Sequence, residues 1–169
     1  PDRTAPPTRA GDLLVLAADG MALDREARRA VTWSERELRI VDTASGDVVS
    51  VREPPFDVAA ARLDDQRITA FGTDGGLRTT RIDERAWTDL AMLAGLDLAP
   101  RTGAPGAVAV ALGRRPDGRI VVLTTREVRT VDPGGDAAPV RIPIADAAGT
   151  PALSADARLL VTGHRDHRA

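Results

Sequence analysis

The sequence predicts an all-β protein built from repeated four-stranded antiparallel units, on three observations. Short runs rich in Val, Ile, Leu and Thr alternate apolar and polar residues with period two, bounded by Gly, Asp, Pro or Ser. Four segments align with one another as an apolar strand, a turn holding Asp and then Arg, and a second apolar strand. After the second strand, tight polar turns lead to a third and a fourth.

The aligned segments are MALDREARRAVTWS (Met21 to Ser34), AAARLDDQRITAFGT (Ala59 to Thr73), VAVALGRRPDGRIVVLTT (Val108 to Thr125) and PALSADARLLVTG (Pro151 to Gly163). The arginine before each second strand is Arg29, Arg67, Arg119 and Arg158, giving steps of 38, 52 and 39 residues. Third strands end in an apolar residue and Asp: LRIVD (Leu38 to Asp42), TRID (Thr80 to Asp83) and VRTVD (Val128 to Asp132). Fourth strands follow Gly- or Ser-bearing turns, as in TASGDVVSVRE (Thr43 to Glu53) and PGGDAAPVRIPI (Pro133 to Ile144). The three aspartates, at equivalent places, are expected to hold turns by accepting backbone N–H bonds.

This pattern resembles the WD-repeat β-propellers over roughly residues 19 to 166, with IVD, RID and TVD similar to that family's Trp-Asp strand ending. No Trp precedes Asp42, Asp83 or Asp132, and the family's Gly-His pair does not stand before the first strands. The resemblance implies a divergent propeller arc of four-stranded antiparallel blades. The division is a Pro-rich linker at 1–10, then a partial propeller at 11–169 with full blades at about 19–53, 56–95 and 106–144. Partial strands flank them at 12–18 and 149–163. Rings usually close with 4 to 8 blades, so about three and a half blades imply an incomplete ring. The rest is expected from a longer parent chain, with completion by another chain, or closure by the N-terminal strand, as alternatives.

The long middle step comes from WTDLAMLAGLDLAPRTGAPG, Trp87 to Gly106. Residues 87–99 fit a fourth strand, but Trp87, Leu90, Ala91, Ala94 and Leu98 also fit one helical face. The second half, with Pro100, Gly103, Pro105 and Gly106, is loop, and this insertion is a candidate contact surface.

Composition narrows the function classes. The net charge is −2, all 23 basic residues are Arg, and aromatics are 2%. That lacks the basic excess and stacking aromatics of a nucleic-acid binder, and the Arg-only usage reads as the coding bias of a GC-rich bacterial genome. No apolar run approaches the roughly 20 residues a membrane span needs, and the start PDRTAPPTRAG is not a signal peptide, so the expected location is cytoplasmic. With no cysteine, thiolate metal sites are excluded.

Catalytic and metal candidates fail on context. The only histidines, His164 and His167, flank Asp166 in GHRDHR, a segment expected to be a solvated turn without the fixed geometry a metal needs. No GxSxG elbow exists, and TDGG (Thr73 to Gly76) and DPGG (Asp132 to Gly135) lie between strands rather than before a helix. The expectation is therefore no enzyme, no cofactor and no metal. Candidate partner-binding residues are Arg36, Arg126 and Arg165 at matching positions on second-to-third-strand turns, Asp74 at that place in the remaining blade, and Trp87 in the insertion. Arg grips carboxylates bidentately and is enriched at interfaces. The functional expectation is a protein-interaction or sensor scaffold, a signalling segment of a larger multidomain protein. Alternatives are an enzyme or ligand-binding propeller with its site in other blades, and a self-assembling structural repeat.

Overall fold

In the computed structural model the described residues are 8–10, 13–15, 18–34, 36–93, 109–135, 138–144, 151–154 and 156–162. They form strands and turns without a helix. Strands β1 (Thr8–Ala10) and β2 (Leu13–Val15) make a hairpin. Residues 8–10, read from sequence as linker, are thus one arm of it.

Three four-stranded antiparallel sheets come next, each in simple chain order. The first is β3 (Gly20–Leu23), β4 (Arg29–Ser34), β5 (Glu37–Asp42) and β6 (Val48–Arg52). The second is β7 (Val58–Asp64), β8 (Arg67–Gly72), β9 (Gly76–Arg81) and β10 (Thr88–Met92). The third is β11 (Ala109–Arg114), β12 (Ile120–Thr124), β13 (Glu127–Val131) and β14 (Val140–Pro143). A last hairpin joins β15 (Ala152–Leu153) to β16 (Leu160–Val161). The hairpins at the two ends stand as separate two-stranded sheets, so among the described residues the arc is not closed.

Neighbouring sheets meet through their first strands. β7 touches β3 and β4 on one side and β11 on the other, and β11 touches β15. First strands therefore lie along the inside of the arc and fourth strands on its rim. Burial follows this order: β12 is buried throughout, whereas Val140 and Ile142 on β14, and Val49 and Val51 on β6, are exposed. One core runs through the first three sheets, from Val31, Trp33, Leu38 and Ile40 through Phe71 and Leu77 to Val122 and Val131. A smaller one, Val121, Leu123, Val128 and Ala157, joins the third sheet to the last hairpin. Alternation along β12 and β13 supplies both, because successive side chains point to opposite faces.

Residues 88–92 resolve the strand-or-helix alternative as strand. Asp89 lies opposite Arg78 and Met92 opposite Gly76, and the Leu93 N–H donates to the Gly75 carbonyl at 2.9 Å. An open β9 edge offers backbone partners along the whole segment, which outweighs the helical spacing of its apolar residues. Residues 94–99 lie outside the described residues.

The first-to-second-strand turns use a left-handed residue each time: Ala27 at φ 55°, Asp65 at 51°, Gly118 at 88° and Ala157 at 54°. Only glycine takes this conformation without steric cost. Ala27 is exposed, so Ala27→Gly is expected to stabilise the protein by about 0.5–1 kcal/mol. The check is a urea titration showing a higher midpoint at unchanged slope.

Of the three strand-ending aspartates, only Asp42 behaves as expected. Its carboxylate accepts the N–H groups of Ala44 and Ser45, both at 2.9 Å. Asp83 instead pairs with the Arg81 guanidinium at 3.0 Å, and at Asp132 the backbone carbonyl, not the side chain, accepts the Gly135 N–H. The differing turn lengths after the third strand decide which donors each carboxylate meets. The Ser45 N–H, followed by Ala44, holds the Asp42 carboxyl below its ordinary 3.8. A depressed folded pKa gives stability that is present above the unfolded value and lost as pH falls through the folded one. Asp42→Ala should therefore melt at a lower temperature at pH 7, with the gap to the parent closing below pH 3.8.

Candidate functional site

The two ends of the blades differ. At one end lie the second-to-third-strand turns, where the candidate residues were expected. The Arg36 guanidinium donates to Asp57 at 2.7 Å, tying the β4–β5 turn to the segment that leads into β7. Next to Asp57, the Phe56 ring carries the Arg78 guanidinium at 4.4 Å over its face and the Trp87 ring edge-on at 5.1 Å. Arg78 in turn holds Asp74 through two hydrogen bonds, 2.6 and 3.0 Å, and Asp89 at 2.9 Å. That guanidinium, with the Gly76 N–H, keeps the Asp74 carboxyl below its ordinary range.

Arg36, Asp74 and Trp87 thus meet around residues 56–57, and their functional groups are engaged with other parts of the chain. Trp87 is part-buried against the main core. Arg126 is different: its guanidinium is exposed and makes no ion pair among the described residues, while its N–H is held by the Thr124 hydroxyl at 3.2 Å. Arg165, His164 and His167 lie outside the described residues. So does residue 94 onward of the insertion; Leu93, the last described residue before it, donates its N–H to the Gly75 carbonyl.

Sequence reasoning missed the arginines that matter most for packing. Arg39, Arg78 and Arg129 occupy equivalent third-strand places, opposite Thr32, Ala70 and Val122 in register. Each pairs with a carboxylate near the preceding turn: Glu37 at 2.5 Å, Asp74 at 2.6 Å and Glu127 at 2.5 Å. Glu127 also receives Arg141. The signal was the Glu-x-Arg in ELR (37–39) and EVR (127–129). In the second sheet Gly76 stands where the Glu would be, and a Cβ there would come within 2.5 Å of the Arg78 guanidinium. Glycine lets Arg78 fold back to the turn aspartate instead.

At the opposite end the first-to-second-strand hairpins of all three sheets and the last hairpin converge on an open cleft of about 640 Å³. Arg25, Asp65, Arg115 and Asp156 come from the four hairpins in order, and Arg62 and Asp64 from β7. Arg62 is bound to Asp64 at 2.8 Å, and Asp156 accepts the Ser154 hydroxyl at 2.7 Å, which depresses its pKa. Arg25 and Arg114 are exposed and make no ion pair or side-chain hydrogen bond among the described residues. A second hollow of about 440 Å³ adjoins it through Arg25 and Asp65. No spacing motif marks this cleft, because its members come from four separate turns.

Comparison with known proteins bears on the fold. No family model and no curated protein matches the chain. Among solved structures it is similar to the β-propeller domain of Cps50 (Swd1) from Myceliophteria thermophila, with TM-score 0.54 and 14% identity, covering 87% of this chain and 50% of that one. A protein of unknown function from Bacteroides thetaiotaomicron superposes at TM-score 0.49 and 16% identity, over 68% of this chain and 31% of that one. The chain spans half the length of the propeller domain it matches. Sheets of four antiparallel strands in chain order, joined through their first strands into an arc, give the chain the fold of a partial β-propeller, as in that solved domain.

Proposed function

We propose that this chain is a protein-interaction scaffold, a propeller segment of a larger cytoplasmic, multidomain bacterial protein. One observation carries the reading. The end bearing the second-to-third-strand turns is braced internally by Arg36–Asp57 and Asp74–Arg78–Phe56–Trp87, yet presents Arg126 outward and unpaired among the described residues. A platform held rigid by its own contacts loses little conformational entropy on binding, and an exposed guanidinium offers a planar fork for a partner carboxylate.

The test places a photo-crosslinking residue at position 125 of the parent protein, beside Arg126, and, as a control, at position 140 on the outer rim. Position 125 should give one discrete crosslinked partner in cells, lost in Arg126→Glu. Equal and diffuse crosslinking from both positions sinks the reading.

A second reading, self-assembly, draws on the last hairpin. Leu159 and Val161 there are 62% and 55% exposed, and β16 has no third strand beside it among the described residues. Light scattering decides this one, since a concentration-independent monomer contradicts assembly.

A further inference from the structure

The cleft at the other end of the blades is separate from the surface that Arg36, Asp74, Trp87 and Arg126 form. Its size, about 640 Å³, falls within the range of built ligand sites. Its carboxylates are mostly committed. Asp64 is spent on Arg62, and Asp156 on the Ser154 hydroxyl and the Arg158 N–H. Two guanidiniums remain without partners among the described residues, Arg25 on the first hairpin and Arg114 at the end of β11. A third, Arg115, has only Asp117 at 3.6 Å. Among the described carboxylates of the cleft, the uncommitted acceptor is Asp65, on the hairpin between them.

We propose that this cleft binds an acidic peptide segment of a partner protein, with Arg25 and Arg114 each gripping a carboxylate and Asp65 accepting a backbone N–H between them. Guanidinium forks match carboxylates in plane and spacing. Asp65 favours a peptide over a bare inorganic anion, because a peptide brings N–H donors and an anion brings only like charge. Alternating signs around the mouth also select orientation, since a reversed or basic segment meets Arg where it needs a carboxylate. The proposal rests on the scaffold reading but uses the end of the blades opposite Arg126.

The probe is a fluorescein-labelled tetraglutamate peptide, titrated by anisotropy against the whole chain at low salt. Saturable binding is expected that weakens with added salt and falls about tenfold or more in Arg25→Ala with Arg114→Ala. Both side chains are exposed and unpaired among the described residues, so circular dichroism should show the double variant folded. Asp65→Ala should weaken binding, whereas Asp65→Asn, which keeps an acceptor, should not. Arg126→Ala should leave binding unchanged, so failure here and failure of the crosslinking experiment are separate results. Absence of saturation, equal loss in Arg126→Ala, tighter binding in Asp65→Ala, or displacement by an equimolar amount of inorganic phosphate would each overturn the proposal.

Discussion

Glu127→Ala is expected to cost about 3–5 kcal/mol of folding stability, more than any other single charge removal in this protein. The carboxylate is only 5% exposed and holds Arg129, itself 9% exposed, at 2.5 Å, together with Arg141. By strand alternation Arg129 shares its sheet face with Val131 and, across the register, Val122, both members of the core that joins the third sheet to the second. Removing Glu127 takes from that guanidinium the carboxylate that holds it at 2.5 Å, in a place that little water reaches. The equivalent pair in the first sheet, Glu37 with Arg39, has side chains 26% and 16% exposed, so Glu37→Ala should cost clearly less. Replacing both partners, Glu127→Leu with Arg129→Leu, should recover most of the loss, because no buried guanidinium then stands without the Glu127 carboxylate. Urea titrations of the four proteins make the comparison. A loss under about 1 kcal/mol in Glu127→Ala would show that the pair is not sequestered as described.

Phe71→Ala is the second large effect, at about 3–5 kcal/mol. Phe71 is 0% exposed and lies opposite Leu77, also 0%, on the middle sheet. Both are on the face opposite Arg78, the one turned toward the third sheet, where β11 touches β7 and β8. A cavity there is lined by strands from two sheets that are already hydrogen-bonded, so neither can collapse to fill it. Phe71→Leu should retain much of the stability, and Val51→Ala, on the exposed rim at 51%, should shift it by no more than about 0.5 kcal/mol. With total stability of a domain near 5–15 kcal/mol, the Phe71→Ala loss should be visible as a large drop in urea midpoint. Equal midpoints for Phe71→Ala and Val51→Ala would mean that the middle sheet is not the one the arc depends on.

The strands were legible before any coordinates because their cause is local. Period-two alternation sets the faces, and an Asp-Arg turn repeated at Arg29, Arg67, Arg119 and Arg158 sets the hairpins, so neighbouring strands pair in chain order. The segment after Trp87 was ambiguous for the same reason in reverse: its apolar spacing suits helix or strand, and only the free β9 edge chose strand. Of the candidate site residues, the structure brings Arg36, Asp74 and Trp87 together around residues 56–57. What sequence left open was whether their functional groups face outward or are engaged by Asp57, Arg78 and Phe56, residues up to 31 positions away in the chain.

By itself, then, the sequence determined the element type, the four-strand unit and its count, because these arise from side-chain alternation and turn chemistry within some forty residues. The tertiary structure alone decided which charges are spent and which are available. Arg25, Arg114 and Asp65 sit at three separate hairpins with nothing to relate them until the arc draws the hairpin tips together. The pairs of Arg39 with Glu37 and of Arg129 with Glu127 lie two residues apart on one strand and were open to the sequence, whereas the ties of Arg36 to Asp57 and of Arg78 to Asp89 were not. Ion pairing across turns depends on distances of a few ångströms between residues that no local rule relates, and only the packed arc fixes those distances.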